Sequence, residues 1–194
     1  MTRTHFVAAS LAVLMGAGCA SAASINITES ATASGHLGSN PFTNSLITLT
    51  TTGDTSNVTN PSSGFFELSG IAVSITIASL GTTANLTDAA FVFSSQTFQD
   101  AGFEDTTLVA QPDILDTVDV AFSTYDLQTS IGPITGSRLI NAGDSFGTDQ
   151  GSFVIDSAGD ATFTATVGAT VPEPATMALF GFGLAGLAAL KRRK

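Results

Sequence analysis

The stretch Ile71-Ala72-Val73-Ser74-Ile75-Thr76-Ile77-Ala78 sets a β-branched apolar residue at every second position, with small or hydroxyl side chains between them. Successive side chains of a strand point to opposite faces, so this spacing predicts a strand with one buried and one wet face. Thr162-Phe163-Thr164-Ala165-Thr166-Val167 repeats the pattern. Weaker runs of the same kind predict strands at 25–31, 45–51, 65–68, 90–95, 118–128, 138–141 and 152–156. Gly, Asn, Asp and Pro separate them at Gly53-Asp54, Asn60-Pro61, Gly81, Gly102, Gly132-Pro133, Gly143-Asp144 and Gly159-Asp160, which reads as turn chemistry. No stretch between 24 and 170 keeps a helical period for three turns. Short strands without crossover helices favour antiparallel pairing, so the sequence predicts an all-β domain over 24–170, a single antiparallel β-sandwich of jelly-roll or immunoglobulin-like type. The eleven phenylalanines from Phe42 to Phe163, Phe98 among them, are its expected core. Residues 48–64, rich in Thr, Ser and Asn, read as a flap or linker.

Composition narrows the partners. Of 194 residues 43% are apolar and 11% charged, with no Trp, one Tyr and one Cys. The sixteen acids all lie between Glu29 and Glu173, where Arg138 is the sole cation, so this segment carries −15. A surface without lysine cannot neutralise phosphates, which excludes nucleic acid as a partner.

Both ends carry hydrophobic segments of a different kind. Arg3, an apolar run from Phe6 to Ala17, and the small residues Ala20-Ser21-Ala22-Ala23 follow the order of a secretory signal peptide, assigned to 1–23, with cleavage after Ala22 or Ala23. Cleavage there removes Cys19 and leaves a chain without a thiol. At the other end Val171-Pro172-Glu173-Pro174-Ala175 precedes fifteen uncharged residues, Thr176 to Leu190, and then Lys191-Arg192-Arg193-Lys194. As a helix the fifteen would span about 22 Å, short of a roughly 30 Å hydrocarbon core, which makes a marginal transmembrane helix. The basic tetrapeptide is a stop-transfer signal that keeps the C-terminus cytoplasmic. The prolines hold Val171 to Pro174 extended, with the backbone open to an enzyme.

Taken together, 171–194 resembles the PEP-CTERM sorting signal, in which a Pro-Glu-Pro box, a short transmembrane segment and a basic tail occur in that order. The resemblance implies recognition by exosortase, a membrane-embedded Cys protease-transpeptidase, at Val171 to Ala175. It also implies a transient stay in the inner membrane, then transfer to the cell envelope or extracellular matrix. It covers these last 24 residues only.

Chemistry has few residues to work with. Catalytic triads need an imidazole, and after signal removal His36 alone remains. Carboxylates are the only other abundant ligands, and they suit hard cations. Asp113, Asp116 and Asp119 form the calcium-site candidate, with Asp100, Glu104 and Asp105, and Asp144 with Asp149, as further groups. No cofactor is required by any motif. The sequence therefore points to a noncatalytic structural or adhesive protein of exopolysaccharide or biofilm. The alternatives are a calcium-assisted polysaccharide-binding module and, behind it, a secreted glycoside hydrolase.

Overall fold

A computed structural model describes residues 23–106 and 113–168. The signal-peptide and sorting-signal assignments, apart from Ala23, lie outside these residues. Ala23–Ala169 group as one unit by their contacts. Twelve strands run in chain order: β1 (Ser24–Leu37), β2 (Asn40–Asp54), β3 (Val58–Ser62), β4 (Phe65–Leu68), β5 (Ser74–Ile77), β6 (Thr82–Asn85), β7 (Ala90–Ser95), β8 (Asp100–Asp105), β9 (Asp113–Val118), β10 (Ile131–Leu139), β11 (Ser145–Thr148) and β12 (Gly151–Val167). The all-β, antiparallel expectation is met, and the decisive stretch forms β5 against β2 and β6.

The strands hydrogen-bond along one path, β3-β4-β7-β8-β9-β10-β12-β1-β2-β5-β6, with β11 attached to β12. Where the sequence led us to expect a sandwich, this is a curled antiparallel sheet, a half-barrel. The reason lies in β10, which pairs with β12 through Ile131 to Gly136 and then with β9 through Ser137 to Leu139. One strand thus serves both halves of the path.

At its other end the path folds back on itself. Leu86, just beyond β6, bridges Thr148 of β11. The Asn85 backbone N–H and side-chain amide donate to the two carboxylate oxygens of Asp149 at 2.9 and 2.8 Å. These contacts tie down an edge that would otherwise offer unpaired backbone groups.

The frame is carried by β1, β2 and β12, of 14, 15 and 17 residues. Their alternation is nearly unbroken: Ile25, Ile27, Ala31, Ala33, Ile47, Leu49, Ala161, Phe163 and Ala165 face inward and are buried. Many outward positions match one another in register and carry Thr, Ser or Asn. One row crosses six strands through Thr135, Thr162, Ser30, Thr48, Thr76 and Thr83. The next crosses five through Thr164, Thr28, Thr50, Ser74 and Asn85, and a third links Thr166, Asn26 and Thr52.

Several expectations are corrected. Residues 118–128 do not continue as a strand. Asp119 caps a 3₁₀ turn, Val120–Thr124, by accepting the Ala121 N–H at 2.8 Å. Phe122 then turns inward, 5.5 Å edge-on to Phe163. Most of 48–64 is ordered strand, because β2 runs to Asp54 and β3 begins at Val58; Pro61 is tolerated in β3 because that strand ends the path. Gly159-Asp160 is a bulge inside β12, opposite the shift from Ala31 to Ala33 in β1. Of the expected core phenylalanines, Phe98 is 75% exposed at the β7–β8 turn, whereas Phe103, Phe122, Phe146, Phe153 and Phe163 are fully buried.

Gly136 sits where β10 passes from β12 to β9, and a Cβ there would run into the Val118 carbonyl. Gly136→Ala is expected to destabilise the chain by roughly 1–3 kcal/mol in chemical denaturation. Gly159→Ala, whose Cβ would meet only the Thr32 carbonyl at 3.7 Å, is expected to cost less than about 0.5 kcal/mol.

Candidate functional site

The acids singled out from the sequence are regrouped by strand pairing. Glu104 lies opposite Asp113, and Gly102 lies opposite Asp116, across β8 and β9. Alternation puts Asp100, Gly102 and Glu104 on one face of β8. A register shift between Phe103 and Glu104 brings Asp113 to the same face as Asp116. Phe65 and Phe93, stacked at 5.6 Å, continue this face across β4 and β7. Asp116 is 1% exposed, and its Oδ1 has no hydrogen-bond partner. The carboxyl occupies the space left by the missing side chain of Gly102.

Asp119, the third member of the expected calcium trio, is spent on capping the 3₁₀ turn. Asp149 is spent on Asn85, and those hydrogen bonds hold its carboxyl below its ordinary range. Among the described residues, no three of His, Cys, Asp and Glu are grouped so as to hold a metal ion. His36 is not in a loop: it lies half-buried on β1, opposite Pro41 and Val154.

A buried acid that sequence reasoning missed is Glu29. It is fully buried on the inward face of β1, accepts the Thr117 hydroxyl at 2.7 Å, and leaves Oε2 without a hydrogen-bond partner. The signal was present, since Glu29 takes the inward slot in Ile25, Ile27, Glu29, Ala31.

Arg138 is the only cation among residues 23–168 apart from His36, so burial of the acids on β1, β8 and β9 has few cations to oppose it. Burial raises Glu29 well above the carboxyl range, opposed by the Thr117 bond. Burial likewise raises Asp116, reinforced by Glu29, Asp113, Glu104 and Asp100. Asp113 is raised by burial, offset by its hydrogen bond to Asp116. Desolvation, then Asp113, pushes Asp100 up to about 6. Desolvation, then Asp113, Asp100 and Glu67, pushes Glu104 up to about 7. Such groups can hold and release protons near neutrality.

Ala23 is 4% exposed; its N–H donates to Thr55 Oγ1 at 3.3 Å and its carbonyl accepts the Thr55 N–H at 2.9 Å. Val171 to Ala175 and Lys191 to Lys194 lie outside the described residues, but they fall in a segment that matches a known family. Residues 170–194 match the PEP-CTERM protein-sorting motif. PEP-CTERM motifs imply export and a membrane sorting signal that exosortase processes, and this one covers only the C-terminal segment. No curated protein and no solved structure matches the chain.

The raised carboxyls set the sign of the pH response. Unfolded carboxyls ionise near pH 4, whereas the folded ones keep their protons higher, so folding takes up protons. Their contribution to stability is complete below about pH 4 and is lost as pH rises through about 6 and about 7. Thermal unfolding is therefore expected at higher temperature at pH 5 than at pH 8. Asp116→Asn, neutral at every pH, should raise stability at pH 8 by roughly 1–2 kcal/mol and flatten the dependence.

Proposed function

We propose that this chain is an exported, noncatalytic protein of the cell envelope or extracellular matrix, with a structural or adhesive role in exopolysaccharide or biofilm. In this reading its signal peptide is cut after Ala22. The C-terminal segment then holds it briefly in the inner membrane, until exosortase acts at Val171-Pro172-Glu173-Pro174-Ala175. The observation that carries the reading is the sorting motif at 170–194.

Two further features support it. Ala23 is built into the domain through both of its backbone bonds to Thr55, which favours Ala23 over Ser24 as the mature first residue. Thr, Ser and Asn outnumber charges on the outward faces of β1, β2 and β12, which suits an exported surface rich in hydroxyls.

Mass spectrometry of the native protein tests the reading. The expected mature chain begins at Ala23 and lacks everything beyond the Pro-Glu-Pro box. In cells without exosortase, or with Glu173→Ala, the larger form should accumulate in the membrane fraction. Recovery of the Lys194 end from mature envelope, or an unchanged product in cells without exosortase, would overturn it.

A further inference from the structure

The outward face of β10, β12, β1, β2, β5 and β6 carries fourteen registered positions in three rows, and each one is Thr, Ser or Asn. None is charged, in a protein of net charge −10. Neighbouring strands place these side chains about 4.8 Å apart, and alternate residues along a strand place the rows about 6.7 Å apart. We propose that this face is a binding surface for neutral polysaccharide, with the chain seated in the groove that opens at Asn26, Thr28, Thr50, Thr52 and Ser74.

Charge selects the class of partner. An anionic glycan would need cations to meet it, and the rows hold none. A neutral glycan presents hydroxyls that both donate and accept, as Thr and Ser do, so either partner can adjust its proton direction. Uncharged hydroxyls also lose less on leaving water than carboxylates would.

The rows are ordered before any ligand arrives. Thr52 Oγ1 donates to Asn26 Oδ1 at 2.7 Å, and Ser74 Oγ donates to Asn85 Oδ1 at 2.8 Å. Thr76 and Thr83 share a hydrogen bond at 2.9 Å, and Thr135 and Thr162 share one at 2.8 Å. Branching at Cβ restricts the Thr rotamers further. Each such bond uses one donor and leaves acceptor capacity on its oxygens, so ordering does not exhaust the surface.

Shape distinguishes a glycan from an ordered water lattice, the other partner a hydroxyl array could meet. A lattice needs a flat face, whereas this sheet curls and holds a groove of about 430 Å³ where the second and third rows meet on β1, β2 and β5. Thr51 helps to shape the groove by donating to the Ala72 carbonyl at 2.8 Å, which fixes the segment between β4 and β5 beside it.

Stacking contributes nothing here, because Tyr125 is buried in the core and the chain has no Trp. Each hydrogen bond to a sugar is then worth only about 0.5–1.5 kcal/mol net. Repetition along the rows multiplies such contacts through effective concentration, so polymers are held where short oligosaccharides are not. The inference rests on the export reading only in that export brings the chain to such a polymer, and binding is measured without sorting.

The full chain, purified in a zwitterionic detergent that carries no sugar, is mixed with insoluble cellulose, β-1,3-glucan, α-glucan and alginate. Retention by at least one neutral polymer, competed by the same polymer in soluble form but not by its monosaccharide, is the expected result. Thr28→Val/Thr50→Val/Thr164→Val keeps shape and strand preference while removing the central hydroxyl row, and should weaken retention about tenfold or more, equivalent to about 1.4 kcal/mol. Should that variant fold poorly, Thr50→Glu, which places a charge at one exposed position, is expected to weaken retention as well. Failure to bind any neutral polymer, binding to alginate alone, or unchanged retention in a folded variant would overturn the proposal. Partition into growing ice without glycan retention would overturn it too and assign the face to ordered water.

Discussion

The structure depends on one constraint, the two-residue period of β1, β2 and β12 held in mutual register. Because successive side chains alternate between faces, the same pairings that stack Ile25, Ile27, Ile47, Leu49, Phe163 and Ala165 inside also align Thr28, Thr50, Thr164 and their neighbours outside. A one-residue slip between β1 and β2 would bury the hydroxyls and expose the isoleucines. The apolar core is therefore what holds the outer rows in register, although no apolar atom of the core need touch whatever lies on them.

The carboxyl cluster of β8 and β9 shows the opposite economy. Buried acids are normally matched by a cation or by several donors. Here Asp116 has Asp113 as its hydrogen-bond partner, Glu29 has one hydroxyl, and an oxygen of each has no partner at all. Burial raises the carboxyls of both, and a chain whose acidic segment holds one Arg and no Lys has few cations to oppose the shift. The three hydroxyl rows hold no acid, whereas β8 and β9 hold five: Asp100, Glu104, Asp105, Asp113 and Asp116.

Much of this was legible beforehand. Alternation in 71–78 and 162–167 is legible because the inward residues, Ala165 excepted, are β-branched or aromatic and each intervening one is small or hydroxylated. Strands β8 and β9 were not legible, since Asp100-Ala101-Gly102-Phe103-Glu104-Asp105 places acids on both faces, and a sequence pattern assigns acids to water. Their burial follows from pairing with β7 and β10, which no local pattern encodes. Asp113, Asp116 and Asp119 looked like one group because they are spaced by three residues. On a strand that spacing sends neighbours to opposite faces, and only the register shift beside Asp113 puts it with Asp116.

By itself the sequence determined the period of the strands, the scarcity of cations in the domain, and the order of Pro-Glu-Pro box, apolar segment and basic tail by which 170–194 matches a sorting motif. These are local properties, carried by neighbouring residues and readable without knowing what lies across from them. Tertiary structure alone decided that β10 would be shared between β9 and β12, that Glu29 and Asp116 would be buried, and that hydroxyls far apart in the chain, from Ser30 to Thr162, would stand in one row. Each of these is a pairing between distant segments, and its energy arises from the packing of faces that do not exist until the strands have met.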